Sequence, residues 1–142
     1  MNREQIFAAL FQQLATIPGI ATVSRRLRHW NDVPPDEQPA LFLAQGDQIA
    51  NSDHGMPTIW TMQADVYIYC HGGSDPDSVP STDVNVLLDA VEDALKPDYT
   101  GYNTLGGLVY DARISGQVET DEGLLGQQSI AVVPIKITAV NE

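Results

Sequence analysis

The sequence predicts an α+β fold, with a largely antiparallel sheet of about five strands and two helices packed on one face, in the order α-β-β-β-α-β-β. Three observations predict it. Two segments carry apolar residues at the three-and-four spacing of amphipathic helices. Apolar and polar residues alternate with period two over residues 58–71. The strands follow one another in runs and do not alternate with helices, which favours α+β over a parallel α/β sheet.

The first helix is predicted from its cap, its apolar stripe and its stop signal. Asn2 is a good N-cap, and Gln5 three residues later completes a pattern like a capping box. Pro18-Gly19 ends the helix. One helical face is apolar along its length, with Ile6, Phe7, Leu10, Leu14 and Ile17.

Three strands are predicted between the two helices. The first covers residues 20–30, where extended geometry would place Arg26 and Arg28 on one face and Arg25 on the other. A proline-rich loop precedes a short apolar strand at residues 40–44, and residues 46–57 are predicted to form a long polar connection. The third strand, residues 58–71, is the clearest. Its apolar face holds Trp60, Met62, Ala64, Val66, Ile68 and Cys70.

The second helix is predicted to begin at Pro80 or Ser81 and to end before Pro97. Two strands follow, at residues 105–120 and 127–140, joined by a turn over residues 121–126. Gly116 indicates a bulge in the first of them. Pro134 indicates an edge position or a bulge in the second, because proline cannot donate to a strand ladder. The helix buries Val84, Leu87, Leu88, Val91 and Leu95.

Length and composition fit one domain spanning residues 1–142, made in the cytosol and soluble. A single cysteine excludes an intramolecular disulfide and fits a reducing compartment. No stretch approaches the roughly 20 apolar residues of a membrane span. The N-terminus lacks the basic and apolar regions of a signal peptide. The formal net charge of −12 argues against broad nucleic-acid binding, which depends on Lys and Arg neutralising phosphates.

Three of the seven basic residues, Arg25, Arg26 and Arg28, fall within four positions of this acidic chain. Such a patch typically marks contact with an acidic partner, so these arginines are candidate contact residues for such a partner. The alternative is that they pair within the chain with the nearby carboxylates. Those carboxylates are Asp32, Asp36 and Glu37. The sequence leaves both interpretations open.

The residue types that carry catalysis or bind metals are scattered. His29, His54 and His71 lie on different predicted elements without metal-ligand spacing, and Cys70 belongs to an apolar face, typical of an inert core thiol. The SDPDS stretch lacks the later ligands of a calcium loop and indicates a turn before a helix. We therefore expect no catalytic, cofactor-binding or metal-binding residues, and no enzyme activity.

Three blocks together resemble the tail terminator or tail-completion proteins of tailed bacteriophages. They are SRRLRHW followed by PALFLAQG, TMQADVYIYCH followed by LLDAVEDALKP, and TLGGLVYDARISGQVETDEGLLGQQSIAVVPIKI. The resemblance implies an α+β subunit of a homohexameric ring at the head-proximal end of the tail. Such a ring stops polymerisation of the tail tube protein and joins the head–tail connector proteins. DNA passes through it as cargo.

This resemblance implies a place in the virion, reached from the host cytoplasm during assembly, with no membrane contact and no cofactor. It also suggests roles for two segments. Arg25, Arg26 and Arg28 would contact acidic groups of a neighbouring subunit or of the tube. Residues 51–57 would project toward the bore or an adjoining ring, unless they form a connection without a role.

Three alternatives remain open from the sequence, the third of which is a small enzyme with a non-standard site. A head–tail connector or stopper of the neck shares the size and the ring assembly. An acidic inhibitor that mimics DNA belongs to a different class, and would need carboxylates at phosphate-like spacing along one face. The stripe of Asp89, Glu92 and Asp93 on the second helix is short for that purpose.

Overall fold

The computed structural model describes residues 1–73, 75–123 and 127–141. It confirms the predicted α+β class and element order. Two short 3-10 turns, Trp30–Asp32 and Pro35–Glu37, lie between the first two strands. The helices and strands of the described residues are α1 (Arg3–Ala15), β1 (Thr22–Ser24), β2 (Ala40–Asn51), β3 (Thr58–His71), α2 (Ser81–Ala94), β4 (Asp111–Ile114), β5 (Glu119–Glu122) and β6 (Gln128–Asn141).

The strands form one sheet in the order β1-β2-β3-β6-β4, with β5 also paired to β6. The short β1 runs parallel to β2, and the other pairs are antiparallel. The 14-residue strands β3 and β6 pair along their whole length, from Thr58 opposite Asn141 to His71 opposite Gln128. This long pair is the middle of the sheet. The arginine-containing side and the β4/β5 side are its two edges.

Both helices pack on one face of the sheet, which we call the helix face. Helix α1 begins as predicted, because the Asn2 side chain accepts a hydrogen bond from the Gln5 amide at 3.0 Å. The alternation predicted for β3 is confirmed, with residues 62, 64, 66, 68 and 70 buried. The largest side chains of this core are fully buried. They include Phe7, Leu10, Leu14, Leu41, Met62, Ile68, Ile135 and Ile137.

The other face of the sheet, which we call the open face, is only partly covered. The segment from residue 29 to residue 39 covers one end, where Val33 and the partly buried Trp30 pack against Phe42 and Tyr69. The rest carries side chains of intermediate or high exposure. By strand register these residues are Ile49, Thr61, Gln63, Asp65, Tyr67, Val132, Pro134, Lys136 and Thr138.

Two sequence predictions about the strands are wrong in their bounds. Strand β1 has three residues instead of residues 20–30, because the chain bends after it and the Ser24 hydroxyl accepts the Arg26 amide hydrogen at 3.0 Å. Residues 46–51, predicted as a connection, continue β2 after a register shift between Gln45 and Gln48. The β2–β3 hairpin is therefore a long arm, and its connecting loop is residues 52–57.

A third prediction, the strand at residues 105–120, is also wrong in its bounds, because residues 105–107 have positive φ and strand pairing begins only at Asp111. The predicted bulge at Gly116 lies between β4 and β5, which pair with β6 in different registers. Pro134 lies opposite this bulge, in the interior strand β6. Its carbonyl accepts the Ser115 amide hydrogen at 3.1 Å. In an antiparallel strand the N–H and C=O of one residue point to the same neighbour, so the missing proline N–H falls at the bulge and leaves the β3 ladder intact.

The turn predicted over residues 121–126 is only partly visible. Asp121 and Glu122 lie in β5, whereas residues 124–126 lie outside the described residues. Strand β5 pairs with β6 from Glu119 opposite Val132 to Glu122 opposite Ser129. The acidic stretch therefore extends the β4 edge of the sheet, instead of forming a solvated turn.

Candidate interaction surfaces

The arginine segment, residues 25–28, wraps around the β1 edge of the sheet. Arg25 forms an ion pair with Glu4 of α1 and donates to the Gln45 side chain at 3.4 Å, so it lies on the helix-face side. The Arg25 hydrogen bond lowers the pKa of the Glu4 carboxyl. Arg25 therefore pairs with a carboxylate of the same chain, as the second interpretation predicts. Its partner is Glu4, which lies 21 positions away in sequence and is not one of the three carboxylates that were predicted.

Arg28 lies on the open-face side of the same edge. Its Nη1 lies 3.1 Å from a carboxylate oxygen of Glu37, and its guanidinium carbon lies 5.6 Å from the centre of the Phe42 ring. The Arg28 carbonyl also accepts the Tyr69 hydroxyl hydrogen at 2.7 Å. Arg25 and Arg28 thus face opposite sides, and the predicted pairing with Glu37 is confirmed. Two of the three candidate residues are engaged within the chain.

Arg26 differs from its neighbours, because its side chain is exposed and has no hydrogen bond or ion pair with the part of the chain that the structure describes. Leu27 beside it is 42 % exposed. The segment therefore presents one guanidinium and one apolar side chain to solvent, while the arginines on either side hold its backbone in place.

A second surface lies at the end of the molecule that holds the tip of the β2–β3 arm. We call it the apolar end, and its members are Met1, Met56, Ile59, Tyr110 and Val140. Their exposed fractions lie between 36 % and 67 %. Val140 lines two shallow concavities here, one of about 260 Å³ with Met56 and Ile59 and one of about 320 Å³ with Met1 and Tyr110. Contiguous exposed apolar groups of this kind mark contact sites for other chains.

The segment between α2 and β4 adds aromatic side chains near this end. Tyr99 is fully exposed, and the rings of Tyr102 and Tyr110 stack with centres 5.3 Å apart. The loop is held by Asp98, whose carboxylate accepts hydrogen bonds from the amides and hydroxyls of Thr100 and Thr104. These bonds hold the pKa of Asp98 well below its usual range. Exposed tyrosines are enriched in protein interfaces, and no sequence pattern singled these out.

The open face contains a concavity of about 350 Å³ with Asp65 in its lining. Ala44 and Pro134 are the strand neighbours of Asp65. Desolvation by such neighbours, and to a lesser extent the Glu119 carboxylate, raises the pKa of Asp65. Lys136 also lines the concavity. A carboxylate kept partly dry on an otherwise uncovered sheet is compatible with a surface that another chain covers.

A groove of about 540 Å³ lies at the opposite edge of the sheet from the arginine segment, and we call it the edge groove. It opens between the end of α2 and the bulge that separates β4 from β5. Glu92, Lys96 and Arg113 lie at its polar positions. Its apolar lining is formed by Leu88, Leu95, Pro97, Ile114, Val118 and Val133. No sequence pattern predicts this groove, because its residues come from separate parts of the chain.

Two of the three histidines and Asp75 have hydrogen-bond partners within the chain, and Cys70 is buried. The Nδ1 atoms of His29 and His71 each accept a backbone amide hydrogen two residues on. Cys70 is buried, and this burial, with a smaller effect of the Asp83 carboxylate, raises its pKa to about 11. Asp75 accepts the Asp77 amide hydrogen at 2.9 Å, which confirms a turn.

Neither a metal-binding cluster nor a membrane-spanning helix occurs in the part of the chain that the structure describes. Residues 1–73, 75–123 and 127–141 contain no group of three or more His, Cys, Asp or Glu side chains arranged to hold a metal ion. Within the same ranges, neither helix has the length and apolar character that crossing a membrane requires.

No family model matches the chain, and no curated protein matches it. Among solved structures, it is similar to a chain of the "Virion of native gene transfer agent (GTA) particle", with a TM-score of 0.56 and 13 % sequence identity. The match covers 94 % of this chain and 93 % of that chain. The two chains therefore share their fold over nearly their whole length.

Proposed function

We propose that this chain is a structural virion protein of a bacteriophage tail. In this proposal six copies form a ring at the head-proximal end of the tail tube, stop tube polymerisation and provide the surface that joins the head. The observation that carries the proposal is the fold shared, from end to end, with a chain of a virion. The sequence blocks that resemble tail terminators support the finer assignment.

The apolar end supports a contact with a second kind of subunit. Met56, Ile59 and Val140 stay largely exposed in the isolated chain, and burying apolar surface contributes about 25 cal/mol per Å². Met56 lies in the loop at the tip of the arm. In the proposal this end meets the tail tube, which refines the expectation that residues 51–57 reach an adjoining ring.

The charge of the chain supports a ring through which DNA passes. A net charge of −12 repels phosphates, so DNA would move along such a surface without adhering to it. Cys70 is buried and protonated at neutral pH, and His29 and His71 each accept a hydrogen bond from a backbone amide. These observations support a role in assembly rather than in catalysis, with no cofactor.

The test is electron microscopy of particles from a phage that lacks this gene. We expect tails of uncontrolled length that are not attached to filled heads. Tails of normal length beside leaking heads would move the assignment to a connector of the neck. Normal particles would overturn both structural roles and favour the acidic inhibitor.

Complementation sharpens the experiment. Met56→Asp places a charge on the apolar end, and we expect it to restore ring formation but not tail-length control. Val86→Asp is the matched control, because Val86 on α2 is similarly exposed, at 62 % against 67 %, and belongs to neither the arm nor the sheet. Full function of Met56→Asp would show that the apolar end is not the tube contact.

A further inference from the structure

The two edges of the sheet carry complementary surfaces. At the β1 edge, Leu27 is exposed and Arg26 has no partner among the residues the structure describes. Arg25 and Arg28 are held by Glu4 and Glu37 on opposite sides of this edge. The segment is therefore fixed in shape before any contact, which lowers the entropy lost when it binds.

The β4/β5 edge has the opposite character. The edge groove has an apolar lining, and the Glu92 carboxylate lies at its polar side. The two cations of the groove already have carboxylate neighbours, since Lys96 lies 3.9 Å from Asp93 and Arg113 lies 3.4 Å from Asp111. The exposed carboxylates of β5, Glu119 and Glu122, add negative charge along the same edge. The uncompensated charge at this edge is therefore negative.

We propose that the arginine segment of one copy binds the edge groove of the next copy, with Leu27 entering the apolar lining and Arg26 meeting Glu92. This inference rests on the proposed function in one respect, which is that the assembly is a ring. One chain supplies both halves of the contact in equal number, and the match pairs an exposed apolar side chain with an apolar lining and an exposed cation with uncompensated negative charge. A second copy is therefore the occupant that fits.

The position of the two surfaces determines the symmetry of the assembly. Because they lie on opposite edges of one sheet, the contact joins unlike surfaces and leaves a free surface on each partner. A head-to-tail contact of this kind forms a closed ring or an open filament, and not an isolated dimer. The sheets of successive subunits would then follow one another around the ring.

Charge reversal in the full-length purified chain tests the contact, with native mass spectrometry and analytical ultracentrifugation as readouts. Arg26→Glu and Glu92→Lys each place like charges together, and we expect each to weaken assembly on the order of 10-fold or more. A 1:1 mixture of the two variants restores one attractive pair at every contact, so assembly returns to the wild-type level. Circular dichroism and urea unfolding confirm that each variant is folded.

Asp89→Lys serves as the matched control, because it changes an exposed carboxylate on α2 that does not line the groove. It should assemble as the wild type does. Unchanged rings in Arg26→Glu and Glu92→Lys would overturn this contact and leave the ring itself standing. Failure of the mixture to assemble would also overturn it. A wild-type chain that stays monomeric even with tail tubes present would overturn the ring as well.

Discussion

The two faces of the sheet are built from neighbouring residues of the same strands, and they differ in what they contribute. On the helix face, Met62 and Ile137 are fully buried beneath α1 and α2. On the open face, Ile49 is 60 % exposed and Lys136 is partly exposed. Folding therefore uses mainly the apolar residues of one face. The other face, the arm and both edges are less buried, and the contacts proposed above use the arm and the edges.

The sharpest test of this difference removes the same atoms from each face. Ile137→Ala deletes part of a fully buried side chain and leaves a cavity, so we expect the free energy of unfolding to fall by about 2–5 kcal/mol. Ile49→Ala deletes the same atoms from an exposed position, and we expect a change within about 0.5 kcal/mol. Urea unfolding followed by circular dichroism measures both. Equal losses would mean that the open face also belongs to the folding core.

The helix face is also the part of the fold that the sequence predicts well. Strand β3 and helix α1 are each buried on one side only. Burial on one side requires apolar residues at regular spacing along the sequence, and this spacing is what the sequence analysis detects. Residues 46–51 show why the prediction fails elsewhere. They are a strand in which Gly46, Asp47, Ile49, Ala50 and Asn51 are all exposed, so neither side of the arm imposes an apolar pattern.

The candidate site was predicted less well, for a different reason. The arginine cluster is visible in the sequence, but its partners are set by tertiary contacts. Glu4 reaches Arg25 from α1, and Glu37 reaches Arg28 from a turn, which leaves Arg26 as the exposed member. The sequence analysis correctly placed Arg25 and Arg28 on opposite faces. It did so by assuming an extended strand, whereas these residues form a bend after β1. The edge groove depends on the packing of α2 against the bulge, which no local pattern encodes.

The bulge at Gly116 is the place where the open face should matter for stability. Gly116 has a φ of +120°, and a Cβ there would lie 3.2 Å from the Pro134 ring. We expect Gly116→Ala to lower the free energy of unfolding by about 1–3 kcal/mol, from backbone strain together with this contact. Urea unfolding of Gly116→Ala, Pro134→Ala and the double variant measures the two causes separately.

A control isolates the strain. Gly55→Ala introduces a Cβ at a φ of +77° in the arm loop, where no atom lies within 4 Å. Gly55→Ala should lower the free energy of unfolding by less than Gly116→Ala does. The additional loss in Gly116→Ala comes from the contact with Pro134, so the double variant Gly116→Ala/Pro134→Ala should not show it. If Gly116→Ala is as stable as the wild type, the bulge does not constrain the open face.

The smallest expected effect concerns Asp65, because the open face is only partly dry. Desolvation beside Ala44 and Pro134, with a smaller contribution from Glu119, raises the folded-state pKa of Asp65 above its unfolded value. The ionised carboxylate therefore disfavours folding above the folded-state pKa. This penalty disappears as the pH falls through that pKa toward the unfolded value, because the group is then protonated in both states. We expect Asp65→Asn to stabilise the chain at pH 7 by less than about 1 kcal/mol.

The pH dependence separates this effect from ordinary surface variation. Urea unfolding should show a higher free energy of unfolding for Asp65→Asn than for the wild type at pH 7. This difference should vanish as the pH falls into the range where carboxyl groups become protonated. Asp47→Asn, at an exposed position, is the control and should have the stability of the wild type at pH 7. Glu119→Gln should give part of the same gain, because it removes the weaker of the two causes. If Asp65→Asn still has the higher free energy of unfolding at low pH, its stabilisation comes from side-chain packing and not from removal of the charge. A loss at pH 7 would mean that the ionised carboxylate stabilises the fold, and the contrast between a folding face and an open face would not extend to the centre of the sheet.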